Sequence, residues 1–264
     1  MLRLLTEQDG EPVGLERLEG KSPVVLVCEH ASRQIPVQLG TLGLDADALQ
    51  SHIAWDPGAL AVSRLLSEAL DATLVFQRFS RLVYDCNRPP ESPAAMPSVS
   101  EIYTIPANAA LSDIERQMRV DEIYTPFHRA IHALIEERLK GQIPPVLMTI
   151  HSFTPVYHGV RRTVELGILH DADSRLADAM LSQHSPFRTL RNAPYGPQDG
   201  VTHTLKLHAA ANGLLNVMIE IRNDLLSSES GQRVMADTLA AMMGNALSEL
   251  TNHKAQKEKH GNSS

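Results

Sequence analysis

Ser22-Pro-Val-Val-Leu-Val-Cys-Glu-His-Ala-Ser-Arg-Gln-Ile-Pro36 contains an unbroken apolar run, Val24 to Cys28, rich in β-branched residues. Such a run reads as a strand buried on both faces, as in parallel sheets. Apolarity stops at Glu29-His30. Open α/β sheets bind ligands outside the carboxyl ends of their strands, so two adjacent ionisable residues there mark a candidate site. The alternative is that both cap or pair with loop groups, the commoner fate of an isolated histidine.

Three later segments repeat this form of apolar run and polar end. Phe79 to Tyr84 leads into Asp85-Cys86-Asn87-Arg88, Val146 to Ile150 into His151-Ser152, and Leu215 to Ile221 carries Glu220. Thr73 to Gln77 and Thr163 to Leu169 read as further strands. Between them lie helical stripes. One follows Asp56-Pro57, a good N-cap and first-turn pair. Others are Leu111 to Val120, Thr125 to Leu139 stopped by Gly141, His170 to Leu181 with Asp171 and Asp173 suited to its start, and Glu229 to Leu250. Strands alternating with helices of this length predict an α/β fold, a three-layer α/β/α sandwich around a central mixed, largely parallel sheet. The expected organisation is one catalytic domain, residues 1–250, followed by a polar, disordered tail, 251–264. Residues 1–20 read as an edge segment or a loop.

The 264 residues, 43% of them apolar, suffice for a large core. A formal charge of −7 without a basic block argues against a nucleic-acid partner. Cys28 and Cys86 provide no disulfide framework and read as small buried hydrophobes. The start is too short and too quickly acidic for a signal peptide, and no apolar run reaches membrane-spanning length, so a cytoplasmic protein is expected. Self-association is left open. No glycine fingerprint follows the first strand, which leaves a dinucleotide or P-loop site without support. The proline-rich stretch 89–110 reads as an active-site loop or flap.

His30, Asp56 and His151 are candidate ligands dispersed along the chain, as happens when several strand ends converge. Two imidazoles and one carboxylate give zinc three protein ligands and leave a position for water or substrate. Asp56 serving only as a helix N-cap competes with this. Glu220 lies in an apolar strand, where a carboxylate is expensive unless paired or coordinated. Either it neutralises Arg222, two residues on and on the same face, or it acts as a general base. Arg81, Asn87, Arg88, Arg161 and Arg162 could bind a substrate carboxylate. Ser152 lacks a nucleophile elbow around it.

Taken together, Val27-Cys-Glu-His-Ala-Ser-Arg-Gln-Ile-Pro36, Trp55-Asp-Pro-Gly-Ala59, Ser80-Arg-Leu-Val-Tyr-Asp-Cys-Asn-Arg-Pro89, Ile150-His-Ser-Phe-Thr-Pro155 and Ile219-Glu-Ile-Arg-Asn-Asp-Leu225 resemble the N-formylglutamate amidohydrolase family. The resemblance implies a fold similar to that of the zinc carboxypeptidases and aspartoacylases, and metal-dependent hydrolysis of a small N-acyl amino acid. It assigns Zn2+, or another divalent metal, to His30 and His151, catalysis to Glu220, and substrate binding to the Asp85-Cys-Asn-Arg88 element. The wider group often has His-x-x-Glu as its first ligand pair, whereas the third residue after His30 is Arg33. That leaves the acidic ligand open between Glu29 and Asp56, and the resemblance, which retains an aspartate near position 56, implies Asp56, with Glu29 as the alternative. Cys28-Glu-His-Ala-Ser32 also departs from the Pro-His-Ser-Gly of the histidine-degradation enzymes, which implies a sister branch. On this reading Arg81, Asn87, Arg88 and Arg222 bind substrate, and Arg88 or His203 steadies the oxyanion. Two further readings are a small-ligand binding protein without turnover and a metallopeptidase of the same fold.

Overall fold

A computed structural model describes residues 3–261. In chain order the strands are β1 (Val13–Glu16), β2 (Val24–Cys28), β3 (Thr73–Gln77), β4 (Val99–Ser100), β5 (Tyr103–Thr104), β6 (Val146–Phe153), β7 (Val156–Tyr157), β8 (Val160–Arg161), β9 (Leu166–Leu169), β10 (Thr189–Arg191) and β11 (Asn216–Arg222). The helices are α1 (Ala46–Gln50), α2 (Ala59–Leu70), α3 (Pro106–Ala109), α4 (Asp113–Arg119), α5 (Thr125–Leu139), α6 (Arg175–Leu181) and α7 (Glu229–Gly261).

Seven strands form one sheet in the order β1-β3-β2-β6-β11-β9-β10. Strands β3, β2, β6 and β11 run parallel, while β1 and β9 join antiparallel to β3 and β11. The sheet is therefore mixed around a parallel centre. Alternation along β2 divides its side chains between two cores. Val24, Leu26 and Cys28 pack with Leu66, Met180 and Met243 of α2, α6 and α7. Val25 and Val27 face Phe127 and Ile131 of α5 on the other side. Each fully buried Val or Leu contributes roughly 1.5–3 kcal/mol, which accounts for the continuous apolar reading of the strand.

Several boundaries differ from the sequence expectation for identifiable reasons. Helix α4 begins at a capping box in which Ser112 and Glu115 bond reciprocally. It continues through a π-type turn, Val120–Tyr124, into α5. Pro126, at the start of α5, has no N–H to give the ladder, and the wider turn absorbs that loss. The helix expected from His170 begins at Arg175, because the carboxylate of Asp171 is taken by Thr202 and Lys206 and that of Asp173 by Arg175. Helix α7 runs past Leu250 to Gly261, so the stretch expected to be disordered from Thr251 is helical that far. Its Lys, Gln, Glu and Ala residues are good helix formers. Residues 262–264 lie outside the described residues.

Candidate metal centre and cavity

The carboxyl ends of β2, β6 and β11 lie side by side, and that placement assembles the site. His30 stands two residues beyond β2, His151 is near the end of β6, and Glu220 on β11 is the register partner of His151. The loop ahead of α2 brings Asp56 in, held by a hydrogen bond from its N–H to the carbonyl of His30 (2.9 Å). Asp56 does not cap α2. The cap position belongs to Gly58, whose φ is +80° and where a Cβ would stand 2.4 Å from Leu226 Cβ. The turn thus leaves the Asp56 carboxylate free to face the histidines.

Three donor atoms converge. His30 Nδ1 and His151 Nδ1 are 3.2 Å apart, and Asp56 Oδ2 lies 3.2 Å from the first and 3.0 Å from the second. All three residues are buried. The far nitrogen of each ring meets its own carboxylate: His30 Nε2 is 2.7 Å from Asp85 Oδ1, and His151 Nε2 is 3.1 Å from Glu29 Oε2. The second contact is close but out of hydrogen-bonding alignment, which leaves His151 Nε2 and both Glu29 oxygens without a hydrogen-bond partner among the described residues. A carboxylate behind each imidazole favours a proton on Nε2 and a lone pair on Nδ1, the arrangement of metal-ligating histidines. Glu29 is therefore behind His151 and is not a member of the donor triangle.

The electrostatics favour a cation at the centre of this triangle. Burial acts against charge at Asp56, yet His30 and His151 hold its carboxyl well below the ordinary range. Burial likewise opposes charge at Asp85, and His30 and Arg81 outweigh it. At His30, burial and Arg81 pull the imidazole down, but Asp85 and Asp56 raise it. At His151, burial is overcome by Glu29 and Asp56. Two lone pairs and a carboxylate oxygen meet at a point where one proton cannot satisfy all three. Two imidazole nitrogens and one carboxylate oxygen, at edges close to the roughly 3.3 Å of tetrahedral ligands at zinc distances, suit a divalent metal.

These groups line a cavity of about 510 Å3 together with Glu220, Arg81, Arg88 and Asn87, a volume in the range of small-molecule sites. Glu220 is buried, its Oε2 has no partner among the described residues, and burial raises its carboxyl to about 7 against the opposing pull of His151. The pair with Arg222, one of the two readings of this carboxylate, does not form. The long guanidinium at the strand end reaches Asp224 (2.8 Å) and Glu165 (3.4 Å), and Arg222 does not line the cavity.

Other expected contacts are redistributed. Arg81 is held by Asp85 (2.7 Å) and Asp56 (3.4 Å). Asn87 accepts the Thr204 N–H at 3.1 Å and donates to the Val201 carbonyl, so its amide fastens that segment. Arg88 donates to the Asp199 carbonyl at 2.7 Å and remains on the cavity wall. His203 is outside the cavity lining, 2.9 Å from Tyr124 Oη, beside the stacked pair His128 and His208. Ser152 donates its hydroxyl to the Pro57 carbonyl, and its N–H donates to Asp56 Oδ2. Arg161 lies exposed on β8. The stretch 89–110 folds into the hairpin β4–β5 and helix α3, and borders the cavity through Ser100 and Glu101. Tyr195 enters the cavity wall because Gly167 on β9 lets the preceding loop close in; a Cβ there would stand 2.0 Å from the Ala193 carbonyl oxygen.

Sequence reasoning missed Asp85 as the carboxylate that orients His30, although it had marked the surrounding element. The signal was present as a carboxylate at the end of an apolar run.

The N-formylglutamate amidohydrolase family matches residues 22–227 of the chain. Among solved structures, gene product Atu2144 of Agrobacterium tumefaciens is similar at 60% identity and a TM-score of 0.93, covering 94% of this chain and 100% of its own. The N-formylglutamate amidohydrolase of Ralstonia eutropha JMP134 shares the fold at 20% identity and a TM-score of 0.61, covering 89% of this chain and 97% of its own. No curated protein matches the chain.

Proposed function

The chain belongs to the N-formylglutamate amidohydrolase family, and from that premise we propose a metal-dependent hydrolase that cleaves the C–N bond of a small N-formyl or N-acyl amino acid. The observation that carries this reading is the triangle of His30 Nδ1, His151 Nδ1 and Asp56 Oδ2 at 3.0–3.2 Å, opening on the cavity. These three would hold Zn2+ or another divalent metal, which when bound supplies Lewis-acid polarisation of the acyl carbonyl and acidifies the attacking water.

The chain's own residues do the remaining work. Asp85 and Glu29 hold the two imidazoles in the tautomer that presents Nδ1. Glu220, balanced near neutrality at about 7, takes the proton from the attacking water at its carboxylate and returns it to the leaving nitrogen. Arg88, the cavity-wall arginine that contacts Asp85 only at 4.0 Å, offsets charge developing on the carbonyl oxygen. The finer architecture we assign is the three-layer α/β/α arrangement of the zinc carboxypeptidases. No helix among the described residues is long and apolar enough to cross a membrane.

The test is metal quantification on the purified chain together with hydrolysis assays across N-formyl and N-acetyl amino acids. Hydrolysis that tracks bound metal supports the proposal. A ligand bound in the cavity without turnover, on metal-loaded protein, favours the binding-protein alternative.

A further inference from the structure

The partners of Arg81, Arg88, Arg161, Arg162 and Arg222 separate these five arginines. Arg81 is neutralised by Asp56 and Asp85, and Arg222 by Asp224 and Glu165. Arg88 gives a hydrogen bond to the Asp199 carbonyl and lies 4.0 Å from Asp85. Arg161 is exposed on β8. Arg162 lines the cavity and has no carboxylate partner among the described residues.

Its surroundings are aromatic. The guanidinium carbon lies 4.5 Å from the ring centroid of Tyr157, 4.8 Å from that of Tyr195 and 5.5 Å from that of Phe153. Rings against a guanidinium attract it electrostatically, hold it in place and keep water from its faces, while its N–H edge keeps its hydrogen-bonding capacity. Only Nη1 is used, toward Tyr195 Oη at 3.0 Å and the Thr154 carbonyl at 3.5 Å. Nε and Nη2 have no acceptor among the described residues. The backbone beneath is fixed, since the Arg162 N–H donates to the Pro155 carbonyl at 2.8 Å and the Arg162 carbonyl accepts from Arg222 Nη1 at 3.5 Å. Arg222, expected at the substrate, instead supports the residue that faces it. A fixed, partly desolvated guanidinium with an unused edge in a ligand-sized cavity matches the planar, bidentate geometry of a carboxylate.

We propose that Arg162 anchors a carboxylate of the substrate and thereby selects which N-acyl compounds the cavity accepts. The assignment rests on reading the cavity as an N-acyl amino acid site, and two measurements separate it from that reading. The first is calorimetric binding of glutarate, a dicarboxylate with no bond to hydrolyse, to the metal-loaded full chain. The wild type binds it, and R162Q weakens binding by roughly 10–100-fold, the loss of a charge-assisted pair. R162K falls between, because an ammonium keeps the charge without the fork.

The second measurement compares N-formyl-L-glutamate, N-formyl-L-glutamine and the α-amide of N-formyl-L-glutamate as substrates. If Arg162 reads the side-chain carboxylate, R162Q raises KM for the glutamate and its α-amide and spares the glutamine. If it reads the α-carboxylate, the glutamate and glutamine suffer and the α-amide is spared. In both cases kcat falls far less than KM rises. A wild type that does not bind glutarate overturns the assignment, as does R162Q binding it like the wild type or an equal KM loss on all three substrates. If the wild type hydrolyses none of the three but binds glutarate through Arg162, the proposed reaction fails and the anchor stands.

Discussion

His30 and His151 face each other through their Nδ1 atoms at 3.2 Å, and each turns its Nε2 to a different buried carboxylate, Asp85 for one and Glu29 for the other. Two imidazoles that share no backing group are thus aimed at one point. Their alignment depends on the residues behind them as much as on the strands that carry them.

Removing one backing group should therefore loosen the metal without touching a ligand. Asp85→Asn leaves His30 in place but weakens the acceptor at its Nε2. Metal affinity, read by competition with a chelator of known strength, should fall by roughly 10–100-fold. An unchanged affinity would mean that Asp85 does not orient His30 for the metal and serves its other partners, Arg81 and the Asn87 N–H.

Glu220→Gln separates catalyst from scaffold. Arg222 is already neutralised by Asp224 and Glu165, so the amide leaves no guanidinium unpaired and the thermal midpoint should stay near that of the wild type. The rate should drop by roughly 10²–10⁴-fold in kcat. A strongly lowered midpoint with normal turnover per folded molecule would remove Glu220 from the mechanism.

The histidines behind the site make an acid-sensitive element. Burial lowers His128 to about 4 and His208 to about 3, and the two are joined by a 2.8 Å hydrogen bond. A depressed histidine contributes stability that is complete above its unfolded value near 6.5 and is lost as pH falls, because the unfolded chain then binds the extra proton. Below about pH 6.5, the unfolding free energy of the wild type relative to His208→Gln should fall by roughly 1.4 kcal/mol per pH unit. Denaturant titrations of both proteins at several pH values would show it. A difference that does not change with pH would place the His208 titration in solvent.

Gly167→Ala tests how the sheet shapes the cavity. A methyl 2.0 Å from the Ala193 carbonyl oxygen must push back the loop that carries Tyr195, at a cost of roughly 1–3 kcal/mol. The variant should melt earlier and bind glutarate more weakly, since Tyr195 is one of the rings holding Arg162. Wild-type stability would show that the loop has slack.

His30, Asp56 and His151 were legible because each ends or flanks an apolar run, a one-dimensional signal. The parallel sheet centre followed from the same runs. The backing roles of Glu29 and Asp85 were not legible, because they depend on which nitrogen of a ring a carboxylate meets. Sharing a strand face did not pair Glu220 with Arg222, since a long side chain at a strand end can reach the following turn. Asp56 read as a helix cap because Asp-Pro is a common start, but Gly58 with its positive φ displaced it. Arg162 stood among several arginines until their partners were known, and having no acid partner among the described residues is a property of the fold alone.

The central claim is that the His30, Asp56 and His151 triangle holds one divalent metal on which hydrolysis depends. The most direct measurement titrates zinc into chelator-stripped protein while following both bound metal and hydrolysis of an N-formyl amino acid, with His151→Ala in parallel. The account predicts activity rising in proportion to metal and saturating at one equivalent, with the variant failing in both. Full activity in the stripped protein, or stoichiometric metal binding by His151→Ala, would contradict it.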